Sequence, residues 1–180
     1  TSKNPRSTVA TVTEIYDYMR VLFARVGVPY SPFTGKPIKS QPISEMVDKI
    51  QKLPKNNTIY LLAPIVRGRK GEYKKEIANY KKRGFSKIKV DGKYLNIDDF
   101  PNLNKKIKHD ISIIVDRIIL NSKLGNRLAD SVETALNLSD GLLVVEYENE
   151  TLPKKLRKVE TITFSSKFSC PESGFTIEEI

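Results

Sequence analysis

Gly84-Phe85-Ser86-Lys87-Ile88-Lys89-Val90-Asp91-Gly92 is the stretch on which the fold turns. Side chains two apart on a strand share a face. Lys87 and Lys89 therefore stand together, while Phe85, Ile88 and Val90 supply apolar surface to bury. Asp91-Gly92 is a strong signal for a tight hairpin turn. It predicts that Lys93 to Asn96 returns beside the first strand.

Working outward, further strands are predicted over Thr58 to Val66, Asp110 to Leu120, Leu142 to Tyr147 and Thr161 to Phe164. Helices fall between them. Ile15, Tyr18, Met19, Leu22, Phe23 and Val26 follow the i, i+3, i+4 spacing of one apolar face. They predict a helix over Thr13 to Val26, capped by Thr11 or Thr13 and ended by Gly27. A second helix is expected from Ser44, its cap, to Leu53, with Met46, Val47 and Ile50 inward. A third spans Tyr73 to Arg83, buried through Tyr73, Ile77 and Tyr80. A fourth spans Arg127 to Leu138, buried through Leu128, Val132, Ala135 and Leu136. The segment Val28 to Pro42 holds four prolines and Gly35 and reads as a domain boundary. Glu148 to Lys158 reads as a charged, mobile connection. The expected class is α+β: a small mixed or antiparallel sheet with helices packed on it.

The chain has 180 residues, 39% of them hydrophobic, and a formal charge of +10. That balance allows a real core and points to an anionic partner, either nucleic acid or an acidic protein face. The single cysteine, Cys170, excludes an internal disulfide and fits a reducing, cytoplasmic setting. No stretch reaches the roughly 20 apolar residues that a membrane span needs. Both ends read as cut sites in something longer.

Catalytic chemistry is not legible. No Walker-type phosphate loop is present, and no local carboxylate pair suits general acid–base work. The only histidine, His109, reads as a surface residue at a strand entry. Cys170-Pro171-Glu172-Ser173 has Ser where a zinc half-site needs its second thiolate. Tyr30 to Gly35 has a knuckle-like outline without a thiol. No catalytic residue, metal site or cofactor is therefore assigned.

What remains is cationic. Arg67, Arg69 and Lys70 form a run that either binds phosphates or is a solvated loop opening the third helix. In the second case Glu72 sits favourably at the helix N-terminus. Lys87 and Arg117 each lie in or beside a strand rich in apolar residues, which would hold them rigidly. Lys89 is a further basic candidate, and Lys105, Lys106 and Lys108 make a basic loop.

Asn4 to Tyr18, Leu22 to Gly27, Leu62 to Val66, Val115 to Arg117, Arg127 to Leu136 and Phe168 to Pro171 together resemble the UvrA family of bacterial nucleotide-excision-repair proteins. The resemblance runs through essentially the whole chain. It implies an ABC-type ATPase that finds DNA damage and loads UvrB, and whose Walker A and signature motifs lie outside this segment. ATP, magnesium and zinc would belong to that parent, which would be a homodimer; this piece would be a monomer without ATPase activity. Residues 1–41 would be part of the first signature domain and 42–158 the UvrB-binding domain. Residues 159–180 would lead to a zinc-bearing insertion. The family's UvrB-contacting cations would correspond to Lys87 and Arg117. Family cysteines are replaced near Ser31 and Thr34 and at Ser173, and Ala10 stands where Gly is usual, so no metal site is carried over. The alternative is a basic nucleic-acid-binding module, with Arg67, Arg69, Lys70 and the Lys105 to Lys108 loop on the phosphate backbone.

Overall fold

The computed structural model of the protein describes residues 13–30, 35, 40–121, 124–148 and 158–167. The chain divides into two compact units, residues 1–39 with 168–180, and residues 40–167. In the first, helix α1 spans Ile15–Val26, and the residue that precedes it is Glu14 rather than Thr13. Thr11 lies outside the described residues. Gly27 closes the helix, its amide donating to the Phe23 carbonyl at 2.9 Å. A Cβ on Gly27 would collide with that same carbonyl oxygen, so the terminus suits glycine alone.

The second unit is a six-stranded sheet in the order β3-β2-β4-β1-β5-β6. The strands are β1 Thr58–Lys70, β2 Lys87–Val90, β3 Lys93–Asn96, β4 Lys108–Ile119, β5 Leu142–Glu148 and β6 Val159–Ser165. Every neighbouring pair is antiparallel, which resolves the mixed-or-antiparallel expectation. The Asp91-Gly92 turn forms as predicted, with φ of 47° and 83° at its two central residues. Both angles being positive is what joins two strands without splaying them. Between its two ends, the charged connection expected over Glu148 to Lys158 lies outside the described residues.

Helices α2 Ile43–Gln51, α3 Lys74–Lys82 and α4 Arg127–Leu138 supply the other layer. The α4 stripe of Leu128, Val132, Ala135 and Leu136 is buried as its spacing requires. Met46 and Ile50 of α2 and Ile77 of α3 join it over Ile59, Leu61, Ala63, Ile88, Ile111, Ile113 and Leu143. Burying each large aliphatic side chain there contributes about 1.5–3 kcal/mol. α2 begins at Ile43 after Pro42, so Ser44 is not its cap but lies in the first turn.

Two departures from the expected pattern bear on function. First, β1 does not stop at Val66. It runs on through Lys70, pairing Arg69 with His109 and Lys70 with Lys108. The basic run is therefore strand, not a loop opening a helix, and α3 begins only at Lys74. Gly68, at φ 56°, accommodates the irregularity where the register shifts, and its amide donates to Asp110 Oδ1 at 2.8 Å. Second, Leu61 pairs with Asp116 while Leu62 pairs with Ile114, leaving Val115 without a partner. This is a β-bulge, and it shifts the in–out alternation of β4 by one residue. Ile111 and Ile113 face the helices before it, and Asp116 and Ile118 after it.

Candidate interaction face

The bulge decides where Arg117 points. Strict alternation would put residue 117 on the face of Ile111 and Ile113, beneath the helices. With Val115 as an extra residue, Arg117 instead pairs with Tyr60 and shares its face, away from the main core. The residue before it holds the frame on the helix side. Asp116 accepts from Arg127 Nε and a terminal guanidinium nitrogen at 3.0 and 2.8 Å, from Ser131 Oγ at 2.9 Å and from the Arg117 amide at 2.8 Å. Burial pushes the Asp116 carboxyl up, but those donors outweigh it and hold it below its ordinary value. The α4 helix thus clamps β4 immediately beside Arg117.

On its own face, the Arg117 guanidinium lies over the Tyr60 ring, 5.9 Å from its centroid. Tyr60 is 5.4 Å from the ring of Tyr94. The Tyr94 hydroxyl donates to Glu146, which pairs across β1–β5 with Tyr60. Glu146 also receives Lys89 Nζ on both oxygens, at 2.6 and 2.7 Å. Burial, and after it the Glu146 carboxylate, push the Tyr94 hydroxyl well above the usual phenol range. A cleft of about 320 Å³ opens here, lined by Tyr60, Tyr94, Arg117, Glu146 and Tyr147 among others. Tyr147 donates to Glu160 at 2.5 Å, and that bond, with burial, raises its hydroxyl to about 12.

The predicted cations take different positions in this arrangement. Lys87 is the exposed first residue of β2 and, flanking buried Ile88, points to the same side as Lys89. Lys87 and Arg117 are therefore on neighbouring strands and one face, and among the described residues neither has an ion pair. Lys89 is half-buried and neutralised by Glu146, so its charge is not offered outward. Arg67, Arg69 and Lys70 lie near the far end of β1, roughly 23–33 Å along the strand from Tyr60, and do not join this site. Cys170, Ser173, Ser31, Thr34 and Ala10 lie outside the described residues.

Tyr60, Tyr94 and Glu146 do not stand out in the sequence. Glu146 carried a usable signal: a carboxylate inside the apolar strand Leu142 to Tyr147 must find a cation or donor when buried.

His109 is not the surface residue expected. It is 2% exposed. Its Nδ1 lies 2.7 Å from Asp91 Oδ2 and its Nε2 3.0 Å from the Asn104 carbonyl. Both partners are acceptors, so the site favours the protonated imidazole, which donates from both ring nitrogens. The Asp91 carboxylate first, then the Asn104 carbonyl, hold its pKa above the ordinary value, with burial opposing. The stability contributed is fully present below the unfolded-state value of about 6.5 and is lost as pH rises through the raised folded value. The melting temperature of the chain should fall across that interval, and the fall should be absent in His109→Gln. An identical pH profile in the variant would show that the imidazolium contributes nothing.

Comparison with known proteins places residues 41–149 under the family described as UvrA interaction domain. The whole chain aligns with the UvrABC system protein A of Rickettsia typhi at 58% identity over 182 residues, covering 19% of that relative. It aligns with that of Rickettsia bellii at 60% over 182 residues, covering 19%, and with that of Rhizobium meliloti at 55% over 192 residues, covering 20%. The chain thus spans about a fifth of the length of the curated relatives it matches.

Proposed function

Because the chain belongs to the UvrA interaction domain family, we propose that it is the segment of a UvrA-type excision-repair protein that captures UvrB. The docking surface is the sheet face bearing Lys87 and Arg117. The observation that carries this reading is Arg117 itself: backed by Tyr60, fixed from below by the Asp116–Arg127 clamp, and left without an acidic partner among the described residues. A guanidinium held flat on an aromatic ring loses little freedom when it meets a carboxylate, and its planar fork suits a bidentate contact. The adjoining tyrosines supply the amphipathic anchors that interface centres favour. The face is thus suited to an acidic partner surface. ATP hydrolysis, damage search and dimerisation are assigned to the four-fifths of the parent outside this chain.

Titration of purified UvrB into the chain without DNA tests this. A saturable one-to-one complex is expected. No complex at micromolar concentrations, with both proteins folded, would remove the assignment.

A further inference from the structure

The opposite end of β1 has a different chemistry. Arg67, Arg69 and Lys70 are all exposed there. Lys70 is directly opposite Lys108 across the β1–β4 ladder, and Lys105 and Lys106 lie in the turn leading into β4. None of these six cations has an ion pair among the described residues. The two carboxylates at the base of this ribbon are engaged: Asp110 accepts the Gly68 amide, and Asp91 accepts His109 and the Asp110 amide. Like charges directly across a ladder destabilise it. The fold therefore maintains an unfavourable juxtaposition on a rigid, hydrogen-bonded ribbon.

We infer that this ribbon end is a second interaction surface, distinct from the Arg117 face, and that it holds the phosphate backbone of a nucleic acid. The contrast between the two faces supports the choice of ligand. The Arg117 face couples its cation to an aromatic cluster and a cleft. At the ribbon end the exposed side chains from Arg67 to Lys70 are cations around a bare Gly68, and the nearby Tyr73 is tied back by its hydroxyl, which donates to the Lys70 carbonyl at 3.0 Å. Protein partners need buried anchors for affinity. A phosphate backbone needs only positioned cations, since counterion release supplies the driving force.

The test is independent of UvrB. Binding of the 180-residue chain to short duplexes of two unrelated sequences is followed as salt is raised. Arg69→Ala/Lys70→Ala is compared with Lys52→Ala/Lys55→Ala. The second pair removes the same charge at the other end of β1, where Asn56 bonds Leu120. The expected result is equal affinity for both duplexes and a salt slope lowered by about two in the ribbon variant, about 0.9 for each phosphate no longer neutralised. The control should keep the wild-type slope. Lys106→Ala/Lys108→Ala, from the facing segment, should reproduce the ribbon result, so a folding defect in one variant does not obscure the answer. Equal weakening in ribbon and control variants would reduce the effect to net charge and overturn the proposal. So would a wild-type chain that does not bind DNA at low salt. A ribbon variant that binds DNA normally but no longer captures UvrB would reassign the surface to a protein partner.

Discussion

Reversal of both face cations, Lys87→Glu with Arg117→Glu, should abolish capture of UvrB while the chain melts as the wild type does. Both side chains are exposed and neither has an ion pair among the described residues, so their replacement breaks no salt bridge of the fold. If each meets a carboxylate in a partly desolvated interface, truncating one costs about 2–5 kcal/mol, much of it from stranding the partner's charge. About 2 kcal/mol is already roughly thirtyfold in Kd, and reversal adds repulsion. If they are rim charges, each truncation costs only about 0–1 kcal/mol. Arg117→Lys separates charge from shape: it keeps the cation but gives up the flat packing on Tyr60 and the forked donor set. It should fall between wild type and Arg117→Ala. Lys105→Ala should leave UvrB binding unchanged. Undiminished affinity in the double reversal would exclude this face and make Arg67 to Lys70 the leading candidate.

A large loss of stability is expected from Lys89→Met. Glu146 is almost fully buried, its side chain 7% exposed, and Lys89 provides two of its hydrogen bonds. Removing one partner of a buried pair leaves an uncompensated charge and costs about 3–5 kcal/mol. For a domain of this size that is roughly 10–20 °C in Tm. The double change Lys89→Met/Glu146→Leu should recover most of the loss, because apolar replacement of a whole buried pair is often neutral. A single-mutant penalty near that of a surface pair, under about 1 kcal/mol, would mean that water reaches Glu146. The same network places Tyr94 against Tyr60 beneath Arg117. Lys89→Met should therefore also weaken UvrB binding at temperatures where the variant remains folded.

Much of the architecture was legible because local signals agreed with one another. The α4 stripe, the Asp91-Gly92 turn and the apolar segments of β1, β4 and β5 each pointed to the observed element. What could not be read depended on pairing between distant segments. That β1 continues past Val66 is imposed by the ladder with Lys108 and His109, not by any propensity in Arg67 to Lys70. The burial of His109 depends on Asp91 and Asn104 closing over it. The neutralisation of Lys89 depends on Glu146, 57 positions away. Lys87 and Arg117 came from family resemblance, since local pattern alone makes them ordinary strand cations. Their shared face follows only from the unpaired residue in β4.

That unpaired residue makes the outward face depend on counting. Side-chain identity at Val115 matters less than the presence of a residue there. Any amino acid that tolerates the bulge keeps Arg117 outward and Asp116 toward α4, whereas loss of one residue between Ile114 and Asp116 would exchange their sides. Within this strand, the spacing between the aliphatic segment and the Asp116-Arg117 pair is what sets which of the two side chains faces outward, so substitution and deletion at the same position carry opposite meanings.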